Sequence, residues 1–265
     1  MPFTQNLHRA PGQSLLKNLD HLNHEIMIYA SYVFIVPILS YATYISDLYI
    51  NKKAPSLFSS GILCAFVLVF IGYSFYRLTG FLHQRRLVRL GYDGEVTVGQ
   101  QLNQLLRDGY YVYHDFPAEK FNIDHIVVGR KGVFAVETKT RSKPNSDQRK
   151  EDATVEYNGR ILLFPKWTDT ATLAQVKRQS SWLSKWLENA IGEPMAVRGI
   201  VALPGWYVKR TSPNGIPVVN PKQFPSLFDH IQSRELSKET IKRIVHQLEQ
   251  KCRDVEPASK ITEQD

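Results

Sequence analysis

Two long uncharged stretches near the start of the chain constrain its fold most strongly. Residues 26–46 and residues 54–76 contain no Asp, Glu, Lys or Arg. Each stretch is about 20 residues long, the length of an α-helix that crosses the hydrocarbon core of a bilayer. The sequence therefore predicts two transmembrane helices, over about 26–48 and 56–76. The alternative is a helical hairpin buried in the core of a soluble protein.

The charges that flank these stretches predict their orientation. A basic juxtamembrane segment, residues 77–90, follows the second stretch and contains Arg77, Arg85, Arg86 and Arg89. The positive-inside rule places such a flank in the cytoplasm, against the anionic headgroups of the lipid bilayer. Two spans return the chain to its starting side, so residues 1–25 are also expected in the cytoplasm. A cleaved signal peptide is not expected, because a second span follows the first.

The remaining residues predict a soluble α/β domain over residues 91–230, a C-terminal helix within 231–255 and a disordered tail over 256–265. We expect a small mixed sheet flanked by helices, and a mobile polar loop over Ser142–Asp152. The expected elements are a helix over 94–107, a strand over 110–114, hairpins over 121–139 and 155–164, a helix over 172–190, strands over 197–203 and 218–219, and a helix over 238–252 capped by Ser237. Asn158-Gly159 is typical of a type I′ turn in the second hairpin.

The first hairpin brings charged side chains together. If its turn centres between Arg130 and Lys131, Asp124 lies opposite Glu137, with Cβ atoms about 5 Å apart. Lys139 comes two residues after Glu137 and therefore projects from the same face. Two carboxylates and an ammonium group at a strand end can bind a divalent metal and activate a water beside a phosphate. His125 alternates to the opposite face, where we expect a structural role.

Charge and cysteine content narrow the functional classes. Nearly all of the formal net charge of +8 belongs to residues that follow Tyr76. A basic soluble part fits a polyanionic partner such as nucleic acid or anionic lipid, although ordinary solubility charge explains it equally well. Cys64 and Cys252 lie in very different contexts, so neither a structural disulfide nor a zinc site is expected.

The domain resembles a known family in the order of its motifs. It is similar to the nuclease-related domain (NERD) family of the PD-(D/E)xK nuclease superfamily, through Gly91-Tyr-Asp-Gly-Glu95, Asp124, Gly132-Val-Phe-Ala-Val-Glu137-Thr-Lys139, Asn158-Gly159 and Gln175. The resemblance covers roughly residues 91–228. The proline that gives the superfamily its name is absent, since Asn122-Ile123 precede Asp124.

The resemblance implies a role for each motif residue. Asp124, Glu137 and the backbone carbonyl of Thr138 would bind Mg²⁺ or Mn²⁺, with Glu95 as a further acid of the metal site. Lys139 would orient the attacking water or stabilise charge on the phosphate, and Gln175 would contact active-site water or substrate. Without the resemblance, Asp124, Glu137 and Lys139 are interpreted as a surface charge cluster. Glu95 is then an acid in the first turn of a helix, and Gln175 is an exposed polar residue.

The sequence thus predicts a membrane-anchored, metal-dependent nuclease that acts on nucleic acid, with DNA favoured over RNA. Further contacts to phosphates or bases are expected from Arg141, Lys143, Arg149, Lys150, Lys166, Lys177, Arg178, Lys185 and the four tryptophans, although core packing is the better expectation for Trp182 and Trp186. The alternatives are a catalytically silent module that binds nucleic acid or protein, and a domain that serves only assembly. Whether the partner is a second copy of the chain or another protein stays open.

Overall fold

A computed structural model describes residues 9–52, 56–142, 153–231 and 235–252. The chain divides into two units, one formed by Met1–Ser14 with Leu90–Asp265 and the other by Leu15–Arg89. The expected tail over 256–265 lies outside the described residues. So does the polar loop after Ser142, with Lys143, Arg149 and Lys150.

Two helices dominate the first part of the chain. They are α1 (Gln13–Tyr49) and α2 (Leu57–Leu102). Both are long and apolar enough to cross a membrane, and only 0% and 6% of their most apolar stretches are buried. A hairpin in the core of a soluble protein would hide most of such residues. Within this unit the helices contact each other through aromatic edges, Tyr29 with Tyr73 and Tyr32 with Phe70.

The predicted helix start at Gly94 is wrong. Residue 94 lies inside α2, which ends at Leu102 and continues as a 3-10 helix over Asn103–Asp108. Glycines at 91 and 94 suggested a break, because glycine weakens a helix. At Gly94 the reason for glycine is packing, since a Cβ there would lie 1.7 Å from Oγ1 of Thr140.

The remaining elements form a mixed α/β domain with two sheets rather than the single sheet expected. The strands are β1 (Tyr111–Pro117), β2 (Asn122–Gly129), β3 (Gly132–Thr138), β4 (Thr154–Tyr157), β5 (Leu162–Leu163), β6 (Thr168–Asp169), β7 (Val197–Ala202), β8 (Tyr207–Arg210) and β9 (Val218–Val219). The helices are α3 (Ala171–Ile191), α4 (Phe224–His230) and α5 (Lys238–Cys252). Ser237 caps α5 as predicted, accepting from the Thr240 amide at 3.1 Å.

The larger sheet has the order β1-β2-β3-β7-β9. Its first three strands are antiparallel, and β3, β7 and β9 are parallel. The smaller sheet has the order β6-β5-β4-β8, with β4 and β8 parallel. Residues 158–161 join β4 to β5. A type I′ turn requires a positive φ at Asn158, and the structure does not have one. The prediction of a type I′ turn is therefore wrong. The Asn158 side chain instead accepts from the amides of Arg160 and Ile161.

Helices cover both faces of the larger sheet. On one face, Val133 and Ala135 of β3 pack in a core with residues of α3 and α5. On the other face, Phe134 and Val136 pack with α4 and the end of α2. The alternation along β3 therefore directs position 137 to the face that α3 covers.

Candidate active site

The two acids of the first hairpin lie where its ladder ends. In the β2–β3 ladder, Gly129 pairs with Gly132, and the pairing continues until His125 faces Val136. Asp124 and Glu137 are the next residues beyond the ladder. This is the register predicted from the sequence. Asp124 does not pair through its backbone there; its Oδ2 accepts from the Thr138 amide at 2.7 Å.

Glu137 is held by two neighbours. Its side chain is almost fully buried, with 3% of the residue exposed. Oε2 accepts from Nε2 of Gln179 on α3 at 2.8 Å, and Oε1 lies 3.8 Å from Nζ of Lys139. The carboxylate therefore has a fixed orientation and one adjacent cation.

Glu95 reaches this group from α2. It is half-buried, and burial together with Asp115 and Glu137 raises its pKa from 4.5 to about 7, while the Gly12 amide that donates to it opposes the rise. A position inside α2 excludes the first-turn interpretation of Glu95, since the dipole effect is confined to the ends of a helix.

The carboxylates destabilise one another's charged forms. Burial, Glu137 and Glu95 raise the pKa of Asp124, and the Thr138 amide and Lys139 oppose this rise. Burial also raises the pKa of Glu137, against the hydrogen bond from Gln179 and the charge of Lys139. A set of buried acids with one ammonium group favours a further cation.

The donor set fits a magnesium ion held by two carboxylates. Mg²⁺ prefers one or two carboxylates and completes its coordination with water and substrate phosphate. Asp124 and Glu137 supply that pair, and among the described residues no group of three or more His, Cys, Asp or Glu forms a fuller cage. Oε1 of Gln179 is buried without a hydrogen-bond partner in the described part of the chain, so an acceptor for a bound water is available. The carbonyl of Thr138 stays a predicted ligand.

Two residues of this group were not foreseen. Gln179, rather than Gln175, is the glutamine that contacts Glu137. Gln175 lies one turn earlier, half-buried and without a hydrogen-bond partner among the residues described. The helical spacing of α3 was a signal for Gln179, because it places this residue on the inner face of the helix. The buried positions at that spacing are Thr172, Val176, Gln179, Leu183 and Leu187.

Asp115 is the second unforeseen residue. In the β1–β2 ladder, Tyr111 pairs with Val128 at one end and Pro117 pairs with Asn122 at the other. Between these ends, only Asp115 and Asp124 are unpaired in the ladder. Asp115 is 2% exposed and has a φ of 48°, in the left-handed region. Aspartate is uncommon in β-strands, so its presence next to the strand predicted over 110–114 was a signal for a functional or structural role of Asp115.

His125 lies on the opposite face, as predicted, in a buried hydrogen-bonded chain. Its Nε2 is 3.1 Å from Oγ1 of Thr138, and its Nδ1 is 2.8 Å from Nδ1 of His114. His114 in turn contacts Oδ1 of Asn103 through Nε2 at 3.1 Å. Burial lowers the pKa of both histidines, that of His114 to about 4. The chain is consistent with two neutral rings that hold Thr138 in place.

The residues expected to contact nucleic acid separate into buried and exposed sets. Trp206 is fully buried, so it cannot stack on bases, which corrects that prediction. Trp182 and Trp186 pack against the core, as expected, and Trp167 stacks on Phe164. Arg141 pairs with Asp169 at 2.9 Å. Four basic residues expected to contact nucleic acid are exposed: Lys166, Lys177, Arg178 and Lys185.

Part of the chain matches a known protein family. Residues 90–204 match the family model of the nuclease-related domain. These residues are similar to a NERD domain. Searches among curated proteins and among solved structures found no significant match. The matched range contains Glu95, Asp124, Glu137 and Gln179, whereas residues 9–14, β9, α4 and α5 lie outside it.

Proposed function

We propose that the chain is a membrane-anchored, Mg²⁺-dependent nuclease that hydrolyses phosphodiester bonds of nucleic acid, DNA in preference to RNA, at the cytoplasmic face of the plasma membrane. The nuclease-related domain supports the class of activity. We further propose that the domain has the PD-(D/E)xK type of fold. The catalytic set consists of Glu95, Asp124, Glu137, Lys139 and a glutamine of α3.

The observation that carries the proposal is the convergence of Asp124, Glu137 and Lys139 at the end of one hairpin. Asp124 and Glu137 would hold Mg²⁺, which supplies a lowered pKa for a bound water and offsets charge on the scissile phosphate. Lys139, 3.8 Å from Glu137, would stabilise the charge that develops on the phosphate. Gln179 holds Glu137 in one orientation, so the carboxylate needs little rearrangement.

A basic cavity beside α3 supports nucleic acid as the substrate. The cavity has a volume of about 1040 Å³ and is lined by Arg160, Lys177 and Arg198, with no acidic residue among its described lining. An adjoining cavity of about 540 Å³ adds Arg178 and Lys185. Exposed cations along such a surface suit contacts with a phosphate backbone.

The membrane part of the proposal rests on α1 and α2. Two helices of sufficient length and apolar composition support a two-span anchor. Residues before the candidate spans and residues after them belong to the same unit. That arrangement supports an even number of crossings, with both flanks on one side. The arginines after the second span support the cytoplasm as that side.

Cleavage by the full-length chain in detergent tests the activity. We expect Mg²⁺- or Mn²⁺-dependent cleavage of single-stranded DNA, duplex DNA or RNA, and a loss of roughly hundredfold or more in Glu137→Gln and Lys139→Ala. Glu188→Gln and Lys242→Ala change exposed residues of the same types and should keep the wild-type rate. Equal cleavage by the wild type and the two site variants would contradict the assignment.

A silent binding module is the second candidate. The basic cavity beside α3 favours it, because its described lining contains none of Asp124, Glu137 and Lys139. Metal-dependent binding of nucleic acid by the wild type, with no turnover on any of the three substrates, would establish this candidate instead. Affinity that does not fall with salt would exclude binding through phosphates.

A further inference from the structure

A short segment that precedes the candidate spans is attached to a buried acid of the domain. Oγ of Ser14 donates to Oδ1 of Asp115 at 2.7 Å, and the Ser14 amide donates to Oδ2 at 3.0 Å. A guanidinium nitrogen of Arg9 lies 3.6 Å from Oδ2 of the same carboxylate. Nδ2 of Asn122 also donates to Oδ1, at 2.9 Å. Asp115 therefore links residues 9–14 to the start of β2, two residues before Asp124.

The backbone of Asp115 is strained to make these contacts. Its φ of 48° lies in the left-handed region, which costs a residue other than glycine free energy. Such a conformation persists only where the surroundings determine it. Here the four hydrogen-bonded or ionic contacts of the buried carboxylate supply that determination.

Residues 9–14 pack against the domain without spare room. Gly12 has a φ of 70°, and a Cβ there would lie 2.8 Å from the ring of Tyr92. A Cβ on Gly99 would lie 2.6 Å from the ring of Pro11. Neither glycine therefore has room for a methyl group, as is usual where two segments are closely packed.

The segment also touches a residue of the candidate site. Gly12 lies beside Glu95, because a Cβ built on Gly12 would be 3.7 Å from Cβ of Glu95. The Gly12 amide also lowers the pKa of the Glu95 carboxyl. On the other side of Asp115, the Asn122 carbonyl accepts from Nε2 of Gln179 at 3.4 Å, and Gln179 holds Glu137. Two routes thus connect residues 9–14 with the acids, one through Glu95 and one through Asn122.

We propose that residues 9–14 are an integral part of the candidate active site, in which Asp115 anchors the segment through Ser14 and the Gly12 amide positions Glu95. These residues precede the range matched by the NERD family, 90–204, so the segment supplements the family's domain. The expected effect of the segment on cleavage rests on the proposed function. Its expected effect on the positions of the acids, and so on metal binding, does not depend on nuclease activity. Ser14 and Gly12 are positioning residues in this arrangement.

Full-length protein in detergent, carrying Ser14→Ala or Ser14→Thr, tests the segment. Two quantities are measured: the dissociation constant of Mn²⁺, from the electron paramagnetic resonance signal of the free ion, and the kcat of DNA cleavage. Loss of the hydroxyl in Ser14→Ala should weaken Mn²⁺ binding and lower kcat by roughly 10- to 100-fold each, as for residues that orient metal ligands. Ser14→Thr keeps the hydroxyl and should return both quantities close to the wild-type values. Ser226→Ala, at an exposed serine of α4, is the matched control.

The outcomes separate this inference from the proposed function. Wild-type Mn²⁺ affinity and wild-type kcat in Ser14→Ala would overturn the inference, and so would a kcat above that of the wild type. A lower melting temperature in Ser14→Ala with unchanged Mn²⁺ affinity would reduce the segment to a structural support and overturn it as well. If the wild type binds Mn²⁺ but cleaves nothing, the proposed function fails, and the Mn²⁺ affinities of the two variants still decide the inference. A wild type without Mn²⁺ affinity would overturn both.

Discussion

At the scale of single residues, two glutamines of α3 differ by one helical turn and by their contacts. Gln179 is buried and donates to Glu137, whereas Gln175 is half-buried without a described hydrogen-bond partner. Gln179→Leu removes a hydrogen bond to a buried carboxylate, an interaction worth about 1.5–3 kcal/mol. We therefore expect Gln179→Leu to lower kcat by roughly 10- to 100-fold, and to lower it more than Gln175→Leu does.

The rates of metal-dependent cleavage by the two variants check this expectation. Gln250→Leu, at an exposed position of α5, is the control for the loss of an amide. If Gln175→Leu were the more damaging change, the family motif would identify the functional glutamine better than the contacts do.

Glu95 makes stability depend on pH in a defined direction. Its pKa is raised from 4.5 to about 7 in the folded chain. The folded state therefore binds a proton that the unfolded state releases, and the free energy of unfolding falls as pH rises from about 4.5 to about 7. Glu95→Gln removes this cost. In metal-free protein at pH 8, the free energy of unfolding of the variant should exceed that of the wild type by about 2 kcal/mol. The variant should therefore unfold at a higher temperature.

Thermal melting at pH 5 and at pH 8 checks the effect of Glu95. The advantage of Glu95→Gln should shrink at pH 5, where the carboxyl is protonated in the folded wild type. Acid destabilisation through the buried pair His114 and His125 cancels in the comparison, because both proteins contain it. Glu188→Gln should show the same difference at both pH values. An advantage for Glu95→Gln that grows on acidification would refute the raised pKa.

At the scale of elements, the path of α2 past β3 depends on Gly94. A Cβ at this position would overlap Oγ1 of Thr140, so Gly94→Ala must shift the Thr140 side chain or the backbone beside it. Overpacking of this kind costs about 1–3 kcal/mol. We expect Gly94→Ala to lower the melting temperature and Thr140→Ala to restore part of the loss in the double variant.

Gly80 on the same helix is the matched control. Apart from the surrounding backbone of α2, no described atom lies within 4 Å of a Cβ built there. Gly80→Ala should therefore change stability by about 1 kcal/mol at most. A Gly94→Ala variant that melts with the wild type would show that α2 and Thr140 do not approach so closely. A double variant without any recovery would show that Thr140 is not the obstacle.

The elements that sequence patterns predicted well are those with local causes. Ser237 and the amphipathic spacing after it give α5 its bounds, and the turn at Arg130-Lys131 sets the register that aligns Asp124 with Glu137. The extent of α2 was missed because the need for Gly94 arises from Thr140, which is distant in sequence. The hairpin predicted over 155–164 is the β4–β5 pair of the smaller sheet. The strand β6 was missed because it has two residues, too few for an alternating pattern.

At the scale of the whole molecule, the contacts of residues 9–14 bear on topology. This segment and the residues that follow the second span belong to one unit, so both flanks of the candidate spans should face the same compartment. We expect a tag at either terminus to be digested in inverted membrane vesicles and protected in right-side-out vesicles. Immunoblots of the two tags after protease treatment measure this. Opposite protection of the two tags would exclude the proposed two-span arrangement.

What the sequence could not supply at this scale is the partner of Asp115. Ser14 and Asp115 are 101 residues apart, and nothing in the local pattern of either residue identifies the other. Spacing along one helix or one hairpin carries information about its own faces only. Asp124 and Glu137 were predicted because one turn joins them, whereas Asp115, Gly12 and Gln179 reach the same group from separate parts of the chain.

The division of one unit between two stretches of chain has a consequence for shedding from the membrane. On the proposed topology, the anchor is an insertion within the domain, and a cut between Tyr49 and Leu57 leaves each half attached to its own span. A single cut after the second span would free residues 90–265 but leave Ser14 and Gly12 behind. The protein therefore has no single cleavage point at which a protease could release a soluble domain that retains all the contacts of Asp115.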